Sequence, residues 1–233
     1  MRRSIEKTEF FMTEFVVIDL EEWKRREYFE HYYRQVPCRF SLTVELDVTR
    51  LVQSVKKQGL MFFPVFIHLL ASVVNRYQEF RTGVNSSGEL GYWRQVWPNY
   101  TVFHPQNRSF STLWTPFSEN FDDFYLNYVR DWEKYGEIEG FAPKPEMPEN
   151  IFNVSCLPWV NFTSFDLDLP RSDNYLLPIF TLGKFSEKNG GTFAPLAMQF
   201  HHAVCDGFHA ALLVNELQEL CNGFGEKNEH QRF

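Results

Sequence analysis

The chain has little cysteine, no excess of positive charge and no long hydrophobic run. Its four cysteines, Cys38, Cys156, Cys205 and Cys221, are widely spaced and include no C-x-x-C pair. A chain of 233 residues buries enough surface to do without disulfide staples, so these are expected to be buried thiols in a reducing cytosol. No segment reaches the roughly 20 apolar residues of a membrane span. Arg2 and Arg3 are followed by Glu6, Lys7, Glu9 and Glu14, which interrupt any signal-peptide pattern, and the expected location is cytoplasmic. The formal charge of -7 argues against nucleic acid as the main partner, because a phosphate backbone calls for a basic surface. A small anionic ligand stays open, since a few local Lys or Arg side chains can hold one. Internal repeats and low-complexity blocks are also missing.

Aromatic residues are abundant instead: 25 Phe, 10 Tyr and 6 Trp. That content argues against disorder and suggests an aromatic core, pocket or subunit contact. The run 20–35 reads as an amphipathic helix ended by Pro37. Leu42, Val44, Leu46 and Val48 alternate with polar residues as in a half-buried strand. Asp47 or Thr49 can cap a short helix that stops near Gly59. The stretch 63–78 is apolar almost all round and predicts a buried helix with Pro64 in its first turn. Short strands are expected over 89–113, broken by Gly91, Pro98 and Pro105. A surface helix is expected over 119–134 and a proline-rich loop over 136–150. Further strands are predicted at 152–156, 162–165, 178–185 and 193–202. Lys188-Asn189-Gly190-Gly191 reads as a hairpin turn between the last two. A final helix, 208–221, carries Leu213, Leu217 and Leu220 on one stripe. The pattern is mixed α/β in a single domain with a polar tail.

The most informative stretch is Gln199-Phe200-His201-His202-Ala203-Val204-Cys205-Asp206-Gly207-Phe208-His209. It falls where a strand gives way to a helix. Alternation puts Leu196, Met198, Phe200 and His202 on one face and Ala197, Gln199 and His201 on the other, so the two histidines cannot do the same job. A histidine on an apolar face is more often a core residue than a catalyst. Asp206-Gly207 alone is a turn with a helix N-cap. His201, His202, Asp206 and His209 are all metal-ligand types, but neighbouring strand residues point apart, and no metal is expected.

With those readings open, the run resembles the active-site signature of the chloramphenicol acetyltransferases, in which the second of two adjacent histidines is the base of a His-x-x-x-Asp-Gly motif. The six-residue motif also occurs in the acyltransferase domains of 2-oxoacid dehydrogenase complexes; the longer form from His201 to His209 is far more specific. Trp23-Lys24-Arg25-Arg26-Glu27, Tyr100-Thr-Val-Phe-His104, Phe110-Ser111, Glu149-Asn150 and Pro158-Trp-Val-Asn-Phe-Thr-Ser-Phe-Asp166 also resemble segments of that family, in its order. The resemblance implies one domain over 1–233, with 1–12 and 223–233 peripheral. It implies a two-layer α+β sandwich of a mixed β-sheet with helices, of the CoA-dependent acyltransferase type.

The implied reaction moves the acetyl group of acetyl-CoA to the primary hydroxyl of chloramphenicol in a ternary complex, giving antibiotic resistance. An imidazole, with an ordinary pKa of about 6.5, suits the removal of the hydroxyl proton. The resemblance gives that role to His202 and the oxyanion to Ser155. It pairs Asp206 with Arg25, with Arg26 as the rival partner, and gives Thr181 a water-mediated contact to the intermediate. It maps the drug pocket onto Tyr32, Cys38, Phe110, Thr112, Phe165, Leu167 and Ile179, and the CoA tunnel onto Trp159 and Lys184. Ala142 stands where the family often has a bulky aromatic, a space that Phe141 can fill. Met61 and Phe63 stand where some relatives have Lys and Tyr near the nucleotide. A homotrimer is implied, with His202 of one subunit facing the pocket of the next. Three rivals remain: an acyltransferase for another acceptor such as a lipoyl arm, a thiol enzyme using Cys205 or Cys38, and a trimeric binding protein without catalysis.

Overall fold

The computed structural model describes residues 14–169 and 175–225. The expectations for 1–12 and for most of 223–233 lie outside the described residues. Strand β1 (Phe15–Val17) leads into a short helix, α1 (Arg26–Phe29), which continues as a π-helical segment, Glu30–Gln35. The single helix expected over 20–35 therefore starts late and widens. Its last turn closes with the Val36 N–H reaching the His31 carbonyl at 2.8 Å, a five-residue step. Pro37 then holds Val36 out of the helical region.

Strand β2 (Arg39–Asp47) follows the expected alternation. Helix α2 (Thr49–Gln58) starts where Asp47 Oδ1 accepts the Thr49 N–H at 2.9 Å. It stops at Gly59, whose φ of 67° is left-handed. Helix α3 (Phe62–Val74) buries ten of its 13 residues, which explains why it is apolar all round. It ends four residues sooner than expected because Asn75 turns its amide to the Ala71 and Val96 carbonyls and accepts the Val96 N–H.

Strands β3 (Thr82–Val84) and β4 (Leu90–Trp93) join β1 in a small antiparallel sheet, ordered β1-β4-β3. Gly91 lies inside β4 rather than breaking it: a Cβ there would fall 2.4 Å from the Val16 carbonyl oxygen. The rest of the chain builds the main sheet from β5 (Trp97–His104), β6 (Ser109–Trp114), β7 (Ile151–Leu157), β8 (Ile179–Gly183), β9 (Ser186–Lys188) and β10 (Gly191–His201). Pro98 sits near the start of β5, where a missing donor is tolerated. The expected turn is present between β9 and β10, with Asn189 and Gly190 at φ 50° and 78°, the signature of a tight hairpin. Helix α4 (Phe121–Tyr135) is capped by Asn120, and α5 (Gly207–Gly223) follows the histidine motif. The strand expected at 162–165 is a loop. Phe162 and Phe165 pack against each other there at a tilt, ring centroids 5.7 Å apart, instead of entering a ladder.

The main sheet is ordered β2-β10-β8-β7-β5-β6, with β9 beside β10, and is mixed because β7 runs parallel to β5 and β8. Its register separates two faces. Leu196, Leu182, Phe180, Val154, Tyr100 and Leu113 turn into the buried core beneath α3 and α5. Ala197, Gln199, Thr181, Ile179, Ser155, Asn153, Asn99 and Thr112 line the opposite face, which carries no helix among the described residues and is mainly polar. The loop 158–169 folds over part of this outer face, where Gln199 Nε2 donates to Asp166 and to the Leu167 carbonyl. The result is a two-layer mixed α/β sandwich, as the sequence predicts.

Candidate active site

Strand β10 stops at His201 and His202 opens the turn to α5, so the two histidines part company. His201 is buried and its Nδ1 accepts the Ala203 N–H at 3.2 Å, which closes the turn. The His202 N–H continues the ladder to the Cys38 carbonyl at 2.9 Å, while its half-buried ring is held from three directions. Tyr32 stacks on it with centroids 4.1 Å apart and planes 12° from parallel, and Phe40 meets it edge-on at 5.5 Å. His202 Nδ1 lies 3.1 Å from the Cys205 carbonyl. A carbonyl oxygen can only accept, so Nδ1 carries the proton and Nε2 carries the lone pair. That is the arrangement a base requires.

An ion pair braces the turn. Arg25 Nη1 lies 2.9 Å from Asp206 Oδ2, and its Nη2 reaches the His202 carbonyl at 3.5 Å. Arg26, the rival partner in sequence, pairs with Glu21 and Glu30 instead. Partial burial works to raise the Asp206 pKa, but the Arg25 hydrogen bond, the His209 and Arg25 charges and the Phe208 N–H together hold it below the ordinary value. Asp206 also caps α5, accepting the Phe208 N–H at 3.2 Å. His209, which the sequence offered only as a ligand type, reaches back to Asp206 from the first turn. The i, i+3 spacing of the two residues is the signal that could have found this contact.

Ser155 and Thr181 are direct neighbours in the β7–β8 register, and Thr181 also pairs with Ala197 of β10. The Ser155 hydroxyl makes no hydrogen bond among the described residues and is free to donate. Phe165, Leu167, Ile179 and Thr181 line one depression on this outer face, together with Gln199. Trp159 is 59% exposed and meets Phe103 edge-on at 4.6 Å; exposed Lys184 is tied nearby through its N–H to the Val160 carbonyl. Tyr32 and Cys38 stand beside His202. Phe110 and Thr112 belong to β6, four strands away from β10. The Phe141 ring is 71% exposed and lies 6.3 Å from Phe110, held there by the Thr112 N–H on the Phe141 carbonyl. Met61 is exposed and Phe63 is half-buried against Tyr100.

The predicted residues thus form two groups, not one. From Ala197, which shares a row with Thr181 and Ser155, His202 is five residues further along the strand direction. Strand rise and spacing put His202 and Ser155 roughly 20 Å apart within one chain. They cannot share a reacting atom there. Three of the four cysteines offer no substitute centre: burial pushes the Cys205 thiol far up, Cys156 to about 11 and Cys221 to about 12. Thiols held protonated in this way are poor nucleophiles.

Comparison with known proteins gives a consistent result. A family profile described as chloramphenicol acetyltransferase matches residues 13–218. A chloramphenicol acetyltransferase of Clostridium perfringens is 45% identical over 217 residues, covering 91% of this chain and 99% of that protein. One of Staphylococcus aureus is 47% identical over 203 residues, covering 87% and 94%. Among solved structures, a chloramphenicol acetyltransferase superposes with a TM-score of 0.80 at 23% identity, covering 89% of this chain and all of that one. A truncated 2-oxoacid dehydrogenase catalytic core from Thermoplasma acidophilum gives 0.61 at 12% identity, covering 88% and 97%. Both structural likenesses speak to the fold alone.

Proposed function

This chain belongs to the chloramphenicol acetyltransferase family and is an acyltransferase, and from that premise we propose how its residues carry out acetyl transfer to chloramphenicol. His202 Nε2 takes the proton of the drug's primary hydroxyl. The freed oxygen attacks the thioester carbon of acetyl-CoA and a C–O bond forms. The negative charge that develops on the carbonyl oxygen is met by the Ser155 Oγ–H, with Thr181 beside it acting through water. The intermediate then collapses, the C–S bond breaks, and the CoA thiolate recovers the proton from His202. Asp206 and Arg25 move no proton in this sequence; they hold the turn. Nδ1 of His202, fixed on the Cys205 carbonyl, is the observation that supports the base role.

The side chains of Tyr32, Cys38, Phe110, Thr112, Phe165, Leu167 and Ile179 are assigned to the drug, and Trp159 with Lys184 to CoA. No helix of the described residues is long and apolar enough to cross a membrane. The separation of His202 from Ser155 favours a site shared between copies, with His202 from one subunit and Ser155, Thr181 and the β6 aromatics from its neighbour. A homotrimer of single-domain chains, closed by threefold rotation, satisfies this for every subunit.

The deciding experiment is release of free CoA thiol on mixing the protein, acetyl-CoA and chloramphenicol, with His202→Ala alongside. Drug-dependent release that disappears in the variant is expected. Release without the drug would mean a hydrolase or another acceptor, and substantial turnover by His202→Ala would sink the base assignment.

A further inference from the structure

The loop 158–169 carries Phe165 and Leu167 but has no strand or helix to hold it. Its first part is tied down close to β8. The Lys184 N–H reaches the Val160 carbonyl at 2.9 Å, and Asn161 Nδ2 reaches the Lys184 carbonyl at 3.1 Å. The Phe162 ring lies over Gly183, where a Cβ would fall 2.7 Å from it. From 162 to 169 the backbone makes no hydrogen bond to other backbone among the described residues. Side chains of the sheet take over there. Ser41 of β2 and Gln199 of β10 are direct partners in the register, and both donate to Asp166 Oδ1, Gln199 Nε2 at 3.0 Å. Gln199 Nε2 also donates to the Leu167 carbonyl at 2.7 Å.

Those two partners fix the amide of Gln199. A backbone carbonyl and a carboxylate oxygen only accept, so the NH2 end faces the loop; turned over, the amide would set its oxygen against two others. Gln199 is 9% exposed, and Oε1 is buried without a partner among the described residues. A buried acceptor left unmet is unfavourable, and a hydrocarbon side chain of the same size would avoid it. What the glutamine contributes at this position is therefore its two donated bonds.

Resting on the reading of the depression beside it as part of the drug site, we propose that Gln199 is a specificity-determining positioning residue, whose amide clamps 166–167 to β10 and so fixes the wall that Phe165 and Leu167 present to chloramphenicol. The two wall residues flank Asp166 in sequence, and Ile179, the β8 partner of Gln199, lines the same depression. A wall fixed before binding spares the complex the ordering of those side chains, so the clamp acts on affinity for the drug. The anchors of Trp159 and Lys184 lie at the other end of the loop and do not involve Gln199.

Gln199→Leu keeps the bulk on the sheet and removes both donors. KM for chloramphenicol should rise roughly five- to tenfold, while kcat and KM for acetyl-CoA stay within about twofold. Amide hydrogen exchange over 162–169 should quicken roughly tenfold or more, with the protection of β10 unchanged. Asp166→Ala cuts the same clamp from the exposed side and should raise the same KM by a smaller factor, because the bond to the Leu167 carbonyl survives. An unchanged drug KM in Gln199→Leu overturns the proposal, and so does an equal rise in both KM values, which marks general loosening. A raised drug KM without faster exchange over 162–169 also overturns it, since Gln199 would then act by direct contact. Should Gln199→Leu fail to fold, Asp166→Ala decides alone, and an unchanged drug KM there sinks the clamp. Wild-type thiol release separates the two readings. Its absence with chloramphenicol removes the drug site itself, whereas normal drug-dependent release beside an unaltered Gln199→Leu removes only the clamp.

Discussion

At the scale of single residues, the chemistry rests on which atom of a side chain is free. His202 keeps Nε2 unbonded because Nδ1 is committed to the Cys205 carbonyl, and Ser155 keeps a hydroxyl proton to give. Ser155→Ala should lower kcat by about a hundredfold or more, the loss typical of one oxyanion donor, about 2.7–4 kcal/mol of barrier, with KM for both substrates little changed. Steady-state kinetics check this; a change confined to KM would point to simple binding. His68 illustrates a histidine with the opposite fate. It lies in α3 among Phe117, Phe121 and Phe124, and burial lowers its pKa although the Ser118 carbonyl at 3.0 Å opposes this. The unfolded chain therefore binds this proton more readily. The neutral ring's contribution to stability is complete above the unfolded value of about 6.5 and is lost as pH falls from there through the folded value. His68→Leu should flatten the decline of Tm between pH 7 and pH 5, measured by thermal unfolding across that range; an unchanged slope would clear His68 of the effect.

At the scale of elements, side chains from one segment hold another in place. The loop after α4 has little secondary structure, but Lys144 Nζ reaches Asp131 Oδ1 at 2.7 Å and the Trp114 carbonyl at 2.8 Å. It also sits 3.7 Å from the centre of the Trp114 ring. Ser111 Oγ donates to the Gly140 carbonyl and accepts from His104 Nε2, so the loop is pinned along β6 where Phe141 meets Phe110. Lys144→Ala leaves the half-buried Asp131 without its charge partner and should cost up to about 3 kcal/mol. A drop in the denaturant midpoint with m unchanged is the expected sign; an unchanged midpoint would show the loop to be held by Ser111 and Thr112 alone. Element type was legible in the sequence wherever the cause is local. Alternation marked β2 and β10, Gly59 ended α2, and Asn189-Gly190 made the hairpin. Legibility failed where a distant partner decides. Asn75 ends α3 by bonding Val96, and 162–165 is a loop because Phe162 packs on Phe165 and the main sheet already has neighbours for β7 and β8.

At the scale of the whole molecule, the placement of groups across the sheet sets the test. If each site takes His202 from one subunit and Ser155 from the next, His202→Ala and Ser155→Ala chains should complement each other. Each variant alone is inactive or nearly so, but co-refolded mixed trimers pair an intact His202 with an intact Ser155 at one of three interfaces. Activity should return to roughly a third of wild type in such trimers. If both residues served the same site within one chain, mixing would restore nothing. Dilution that dissociates the assembly should likewise abolish turnover, read by sedimentation and thiol release on the same samples.

By itself the sequence determined the class of fold, the family and the motif that carries the base, because alternation, capping and turn chemistry depend on near neighbours and a nine-residue signature is local. It also marked Arg25 and Asp206 through family resemblance. Only the tertiary structure decided which of Arg25 and Arg26 meets Asp206, that the His209 ring accepts the Asp206 N–H, and that His202 and Ser155 stand strands apart. Those facts follow from strand order and register, which are set by pairings between residues far apart in the chain, and no local pattern encodes them.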